Sequence, residues 1–225
     1  MLRRAALILA LFSPPLQAQE APNLLPASEG TAGAASRLIL AQRAQTEAMR
    51  RGDPVLLLSA IRLAREVTQR PPTSWTRETE DRGPAEGADE AALPLDPAGD
   101  GALSILKGLA TEDPDLQDLV YDLDAQLPHG RRPTATVTEA WLDGGQTDRW
   151  QMPLFGALPA EIGVVGNGDS PLGLTVTDES GAIVCAQPAD ATAGLCRFTP
   201  ARNGFFSVAV RNAGDSRAGY RLVGN

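Results

Sequence analysis

A series of short apolar runs between residues 148 and 222 constrains the fold of this chain more than any other feature. Each run ends at Gly, Pro, Asn or Asp, which is typical of a compact antiparallel β-domain. Phe206, Val208 and Val210 fall on one face of such a run, as in a strand with one buried side. We expect a jelly-roll-like antiparallel β-sandwich. Its eight predicted strands lie at 135–142, 148–154, 160–166, 172–177, 183–186, 195–199, 205–211 and 219–223.

The N-terminal half predicts about four helices, arranged as two helical hairpins. Apolar residues recur there at helical spacing, over 34–50, 54–69, 102–110 and 114–127. Two of the helices follow the pairs Asp53-Pro54 and Asp113-Pro114. An Asp oxygen can accept a first-turn N–H, and Pro fits the first helical position. The chain is therefore predicted to be α+β, with a helical module at 34–127 and a β-domain at 134–225.

Two segments of the chain predict little regular structure. Residues 70–99 contain five Pro and three Gly among many acidic residues, so we expect a loose loop. Trp75 either pins this loop against the helices or forms an exposed contact, and the sequence leaves both open. Residues 128–133 read as a linker. They hold His129, the only His of the chain, which we expect to be solvated rather than catalytic.

The first 18 residues have the pattern of a secretory signal peptide. Arg3 and Arg4 precede an apolar run at 5–12, and Ala18 offers a small residue before a cleavage site. The run is too short to cross a bilayer, so we expect no stable membrane insertion after cleavage. Residues 19–33 would then form a flexible leader, and the protein would be periplasmic or secreted.

The charge of the chain makes nucleic acid a poor partner. Its formal net charge is −8, and phosphate backbones bind basic surfaces. Residues 19–130 carry 19 acidic and 10 basic residues, so the helical module is the acidic part. Asp115, Asp118 and Asp122 lie opposite an apolar helix face, which favours a solvated surface over a cation or basic-partner site.

Two cysteines, Cys185 and Cys196, are predicted to form one disulfide bond. An exported chain meets oxidising conditions, in which such bonds persist. A metal pair or redox pair is the alternative, but the chain has no C-x-x-C spacing.

No catalytic motif supports an enzyme. The sequence contains no H-E-x-x-H, P-loop or G-x-G-x-x-G pattern. Gly168-Asp169-Ser170 is similar to the nucleophile segment of some secreted hydrolases, but it lies within the β-pattern without a nearby His. We therefore expect no enzymatic activity.

The pieces of the β-domain also follow a recognisable order. Asp148 and Trp150 open an aromatic strand, a Gly-Asp segment follows at 166–174, and a hairpin turn follows at 177–181. The order is completed by Cys185, residues 196–200, 204–205, 208–212 and 220–222. This order resembles the bacterial pre-peptidase C-terminal domain, a small β-sandwich appended to many secreted bacterial proteins.

The resemblance implies possible calcium ligands at Asp148, Asp169 and Asp178. Pro171 and Gly173 stand where the family carries further carboxylates, and calcium needs six to eight oxygen ligands. We therefore expect no cofactor, with calcium as the one candidate.

Three functions remain open from the sequence. The first is a non-enzymatic exported protein whose β-sandwich binds a protein or envelope ligand. The second is an accessory subunit of a secreted peptidase, since the resembled domain often accompanies proteases. The third is a calcium-dependent ligand-binding module. The sequence leaves the oligomeric state open.

Overall fold

A computed structural model of the chain describes residues 21–26, 32–80, 91–125, 132–189 and 193–225. Within these residues the chain forms four helices and a β-sandwich of two five-stranded sheets, and the fold is α+β as predicted. Eight of these ten strands follow the last helix. The predicted signal peptide, His129 and residues 128–131 of the predicted linker lie outside the described residues.

The helices form where the apolar spacing predicts them. They are α1 (Ala34–Arg51), α2 (Pro54–Arg65), α3 (Asp100–Leu109) and α4 (Pro114–Ala125). α1 ends at Gly52, whose φ of 65° is the left-handed conformation that glycine adopts without steric cost. No helix among the described residues is long and apolar enough to span a membrane.

Both Asp-Pro pairs start a helix by the predicted mechanism. The Asp53 carboxylate accepts a hydrogen bond from Leu56 N at 3.0 Å, and Asp113 accepts one from Leu116 N at 3.1 Å. The helices then share a core of their own. Its buried residues are Ala48, Leu57, Leu58, Ile61, Ala102, Leu103, Leu106, Ala110, Leu116, Val120 and Leu123.

Each sheet has five strands. The first sheet, in spatial order, contains β1 (Thr68–Arg70), β3 (Thr134–Leu142), β10 (Ala218–Gly224), β5 (Ala160–Gly166) and β8 (Ala193–Phe198). The second sheet contains β2 (Thr76–Glu80), β4 (Thr147–Leu154), β9 (Gly204–Asn212), β6 (Leu172–Thr177) and β7 (Ile183–Gln187).

Two of these strands correct the prediction. The eight predicted strands correspond to β3 through β10, whereas β2 and the last residue of β1 lie in the segment predicted as a loose loop. The other two residues of β1, Thr68 and Gln69, end the helix predicted over 54–69, so that helix is wrong beyond Arg65, where α2 ends. β1 pairs with β3 in parallel, so the first sheet is not wholly antiparallel. β2 is polar on both faces and is stabilised by contacts with β4, which the local composition of 70–99 does not reveal.

The two long edges of the sandwich are closed differently. At one edge, the predicted disulfide bond between Cys185 on β7 and Cys196 on β8 joins the two sheets. At the other edge, residues 71–75 cross from β1 to β2 and thus from one sheet to the other. We call residues 71–75 the strap.

The helical layer packs through α1 against the outer face of the first sheet. Ile39 on α1 forms a buried cluster with Val165 and Ala193. Gly163 makes the contact possible, because a Cβ there would lie 2.7 Å from the Ile39 side chain. The molecule therefore has three layers, helices on sheet on sheet.

A buried carboxylate fixes the start of α1 on the sheet. Glu161 on β5 accepts hydrogen bonds from Gly33 N at 2.8 Å, from Ser36 N at 2.9 Å and from Ser36 Oγ at 2.6 Å. These donors include N–H groups that α1 itself cannot satisfy, and a carboxylate is favourable at the positive end of a helix.

Candidate functional site

A cleft of about 540 Å³ opens where the strap crosses between the sheets. One wall is the strap together with Arg70, and the other is the β4–β5 connection with Phe155 and Leu158. Four prolines line the cleft, namely Pro71, Pro72, Pro153 and Pro159. The site is thus an apolar groove between two stiff segments.

Trp75 anchors the strap and also lines the cleft. Its ring is half-buried and packs edge-on against Trp150, with ring centroids 6.5 Å apart and an interplanar angle of 74°. The ring lies against Gly224, where a Cβ would be only 2.9 Å from it. The close contact therefore requires glycine at this position. Trp75 therefore pins the segment, but against the sandwich rather than the helices, and its ring is half-buried rather than exposed.

The opposite wall is held in an unusual backbone conformation. Ala157 has φ 60°, the one positive value found for a non-glycine residue in the described part of the chain. Gly156 N donates to Asn203 Oδ1 at 2.8 Å, and Ala157 N donates to the Pro200 carbonyl at 2.8 Å. These hydrogen bonds fix the backbone of the turn between Phe155 and Leu158, whose side chains are 67% and 59% exposed. Strain of this kind persists where the surrounding structure fixes it, and it is concentrated at functional sites.

The polar groups of the cleft include both hydrogen-bond donors and acceptors. Within the described residues, the N–H groups of Thr73, Ser74 and Trp75 make no backbone hydrogen bond. The side-chain amide of Asn225 is hydrogen-bonded within the protein, because it accepts from Glu161 N and donates to the Pro159 carbonyl. The described residues lining the cleft include no Asp, Glu, His or Cys side chain.

A buried cluster around Asp148 holds β2 beside the cleft. Asp148 on β4 is fully buried and accepts hydrogen bonds from Tyr220 and from Thr79 Oγ1, the latter at 2.6 Å. It also pairs with Arg77 at 2.7 Å, and Trp150 Nε1 donates to the Tyr220 hydroxyl at 2.8 Å. Burial and the Asp148 charge raise the pKa of Tyr220 well above its usual range. Asp148 therefore stabilises a strand, and its oxygens are engaged with protein donors.

Asp178, the second calcium candidate, binds the N-terminal segment instead. Its carboxylate accepts hydrogen bonds from Asn23 N at 2.7 Å, from Ser180 N at 2.9 Å and from Ala182 N at 3.0 Å. Asn23 is fully buried, and its side chain also bonds to both backbone groups of Arg202. The expectation of a flexible leader over 19–33 is thus wrong for residues 21–26, because Asn23 satisfies buried polar partners on the sandwich.

This contact predicts a pH dependence. Burial by itself would raise the pKa of Asp178, but the N–H donors outweigh it and hold that pKa below its usual value of 3.8. Because the pKa of Asp178 is lowered in the folded protein, its ionised carboxylate stabilises the contact at pH values above the usual pKa of Asp. This stabilisation is lost as the pH falls through the lowered pKa. We expect the transition in the chemical shift of the Asn23 amide proton, followed by NMR, to be centred below pH 3.8.

The neighbouring charges define the control for this titration. Glu179 and Arg202 form an ion pair beside Asn23, and the pKa of Glu179 is also lowered, first by its own backbone N–H. An Asp178→Asn variant should therefore remove the transition at the Asn23 amide if Asp178 causes it. A transition centred at or above pH 4 would contradict the depressed pKa.

Asp169, the third calcium candidate, is remote from Asp178. Asp169 is exposed and accepts a hydrogen bond from Asn167 Nδ2 at 2.5 Å. It precedes β6, whereas Asp178 follows β6, so the two residues lie beyond opposite ends of a strand about 20 Å long. Across the described residues, no group of three or more His, Cys, Asp or Glu side chains is placed to hold a metal ion.

Sequence reasoning did not find the residues of the cleft. Trp75 lies in one connection and Phe155 and Leu158 in another, while Arg70 ends β1, and these segments come together only in the folded sandwich. The pair Pro71-Pro72 followed by a lone Trp75 is the one local signal, because such a stiff segment orders an aromatic residue at little entropic cost.

Known structures show only distant similarity to the C-terminal part of the chain. The pre-peptidase C-terminal domain of a Bacillus anthracis collagenase has 19% identity over 39% of this chain and 87% of its own, with a TM-score of 0.35. A periplasmic inhibitor of g-type lysozyme from Aeromonas hydrophila has 14% identity over 45% and 91%, with a TM-score of 0.32. The Yersinia pseudotuberculosis-derived mitogen has 11% identity over 40% and 84%, with a TM-score of 0.30. No family model and no curated protein matches the chain.

Proposed function

We propose that this chain is a non-enzymatic exported protein whose sandwich binds an extended peptide segment of a partner protein in the cleft. The observation that carries the proposal is the cleft wall itself. Phe155 and Leu158 are exposed apolar side chains that a hydrogen-bonded turn at Ala157 holds out toward the strap. Exposed apolar side chains grouped in a groove mark interaction sites.

The strap supports an extended peptide as the occupant. Its backbone N–H groups at 73–75 are unpaired within the described residues, so a bound peptide backbone can pair with them. Proline-rich and aromatic surfaces also suit extended, low-entropy ligands. A glycan is the less favoured occupant, because sugar hydroxyls are bound by carboxylate and amide side chains. The described lining has no carboxylate side chain, and the Asn225 amide is hydrogen-bonded within the protein.

Export is part of the proposal. The sequence pattern of residues 1–18 is that of a signal peptide, and the Cys185–Cys196 bond persists in oxidising compartments. We further propose that the sandwich is a divergent domain of the pre-peptidase C-terminal kind, on the order of matching residues in its sequence.

The proposal is tested with residues 19–225, fluorescently labelled, on a synthetic array of random octapeptides. We expect selective binding to a subset of octapeptides. The double variant Phe155→Ala/Leu158→Ala should weaken binding at least about tenfold, because anchor side chains at an interface commonly contribute more than 1 kcal/mol each.

A matched control keeps the test specific. Leu40→Ala/Ile183→Ala removes two side chains of similar exposure, 58% and 64%, on α1 and β7. This control should bind octapeptides as the unaltered chain does. Absence of octapeptide binding, or equal binding by the cleft variant, would overturn the proposal. Glycan-array binding that the cleft variant loses would replace the peptide with a glycan.

A further inference from the structure

The side chain of Arg70 is positioned at the cleft but lacks an anionic partner there. Its Nε donates to Thr136 Oγ1 at 3.4 Å, and Thr136 is buried on β3. That contact leaves the two terminal NH2 groups of the guanidinium available. Among the described residues Arg70 takes part in no ion pair, whereas Arg77 on β2 and Arg221 on β10 are paired with carboxylates.

The indole of Trp75 is a second donor without a partner. The other two indoles are satisfied, since Trp141 Nε1 donates to the Ala91 carbonyl at 2.9 Å and Trp150 Nε1 donates to Tyr220. Trp75 Nε1 donates to none of the described residues, although its ring is half-buried in the cleft wall. This nitrogen is not one of the buried, unpaired side-chain atoms of the described residues, so the N–H reaches solvent and is open to an acceptor on a ligand.

We propose that the cleft recognises a carboxylate on the bound peptide, through the guanidinium of Arg70. This inference rests on the proposed function and names the chemistry of its ligand. Arg70 is the one ionisable side chain among the described residues that line the cleft. Its fork of N–H donors matches a carboxylate, and Trp75 Nε1 and the strap N–H groups add further donors for acceptor atoms.

The charge of the whole protein makes this recognition selective. With a net charge of −8, the surface repels acidic peptides at most positions. Arg70 gives an acidic peptide an attractive contact inside the cleft, whereas Arg62 and Arg211, which also form no ion pair among the described residues, do not line it. Neutral peptides bind without this contact and therefore more weakly.

The carboxylate has two possible sources, a peptide C-terminus or an Asp or Glu side chain. The octapeptide array separates them when each peptide is printed in three forms. The first form has an amidated C-terminus and no acidic residue, the second has a free C-terminal carboxylate, and the third has an amidated C-terminus and one internal Glu. We expect one of the two carboxylate forms to bind about fivefold or more tightly than the neutral form at low salt.

Arg70 variants connect this preference to the cleft. Arg70→Gln should bind the neutral form as before and lose the preference for the carboxylate, whereas Arg70→Lys should retain part of it. Arg211→Gln serves as the control, because Arg211 is exposed on β9 and does not line the cleft. It should leave the preference unchanged. Raising the salt concentration should reduce the preference, as for any partly exposed ion pair.

The outcomes separate this inference from the proposed function. If all three forms bind equally and the Phe155→Ala/Leu158→Ala variant loses them all, the cleft binds peptides but the carboxylate inference is wrong. If Arg70→Gln keeps the full preference, another cation recognises the carboxylate and the inference is equally wrong. If none of the three peptide forms binds, the proposed peptide-binding function is wrong, and the carboxylate inference that rests on it is wrong as well.

Discussion

Replacing Asp148 with Ala is expected to lower the free energy of unfolding by about 3 kcal/mol. The change leaves Arg77, Thr79 and Tyr220 without their shared acceptor in a buried cluster. Removing one partner of a buried ion pair costs about 3 to 5 kcal/mol. The lower end applies here, because one third of the Arg77 side chain is exposed and water can solvate it.

Urea denaturation of the oxidised protein measures this effect. Asp169→Ala is the control, since Asp169 is exposed and its side chain bonds only to Asn167 among the described residues. That variant should differ by less than about 0.5 kcal/mol. Amide hydrogen exchange should also accelerate across β2 in Asp148→Ala. A change below about 0.5 kcal/mol for Asp148→Ala would show that the cluster does not stabilise the sandwich.

The second large effect is expected at the contact between the helices and the first sheet. Glu161→Ala removes the acceptor of the Gly33 and Ser36 donors at the start of α1. Buried donors left without a partner cost about 1 to 3 kcal/mol each. Water can reach part of the opened site, so we expect a total loss of about 3 kcal/mol.

A second acidic residue that pairs with α1 provides the control. Glu66 forms an ion pair with Arg37, but 60% of its side chain is exposed, so Glu66→Ala should cost less than about 1 kcal/mol. Hydrogen exchange should become faster in the first turn of α1 for Glu161→Ala and stay unchanged in β4 and β9. Equal effects of the two variants on unfolding would contradict the capping role of Glu161.

Local chemistry explains why much of the fold is predictable. Asp53 and Asp113 start their helices through hydrogen bonds from residues three positions later. Both partners of each bond therefore lie within one short stretch of sequence. The alternation in β9 places Phe206, Val208 and Val210 in the core as predicted. In each case the stabilising partners are close in sequence or follow a simple period.

The features that sequence reasoning missed depend on distant partners. β2 is exposed along its whole length and forms because Arg77 and Thr79 meet Asp148, about 70 residues away in sequence. Asn23 is ordered by Asp178, 155 positions away. No period or local composition encodes such pairings, and the cleft, which two separate connections form, belongs to the same class.

The indole N–H signals of the three tryptophans test the peptide-binding role of the cleft most directly. Trp141 Nε1 and Trp150 Nε1 are bonded within the protein, whereas Trp75 Nε1 has no partner among the described residues. A two-dimensional ¹H–¹⁵N spectrum resolves the three signals, and a Trp75→Phe variant assigns the one in the cleft. Adding the octapeptide that binds most tightly on the array should shift the Trp75 signal to saturation and leave the other two in place. An unchanged Trp75 signal with the peptide bound would contradict the account.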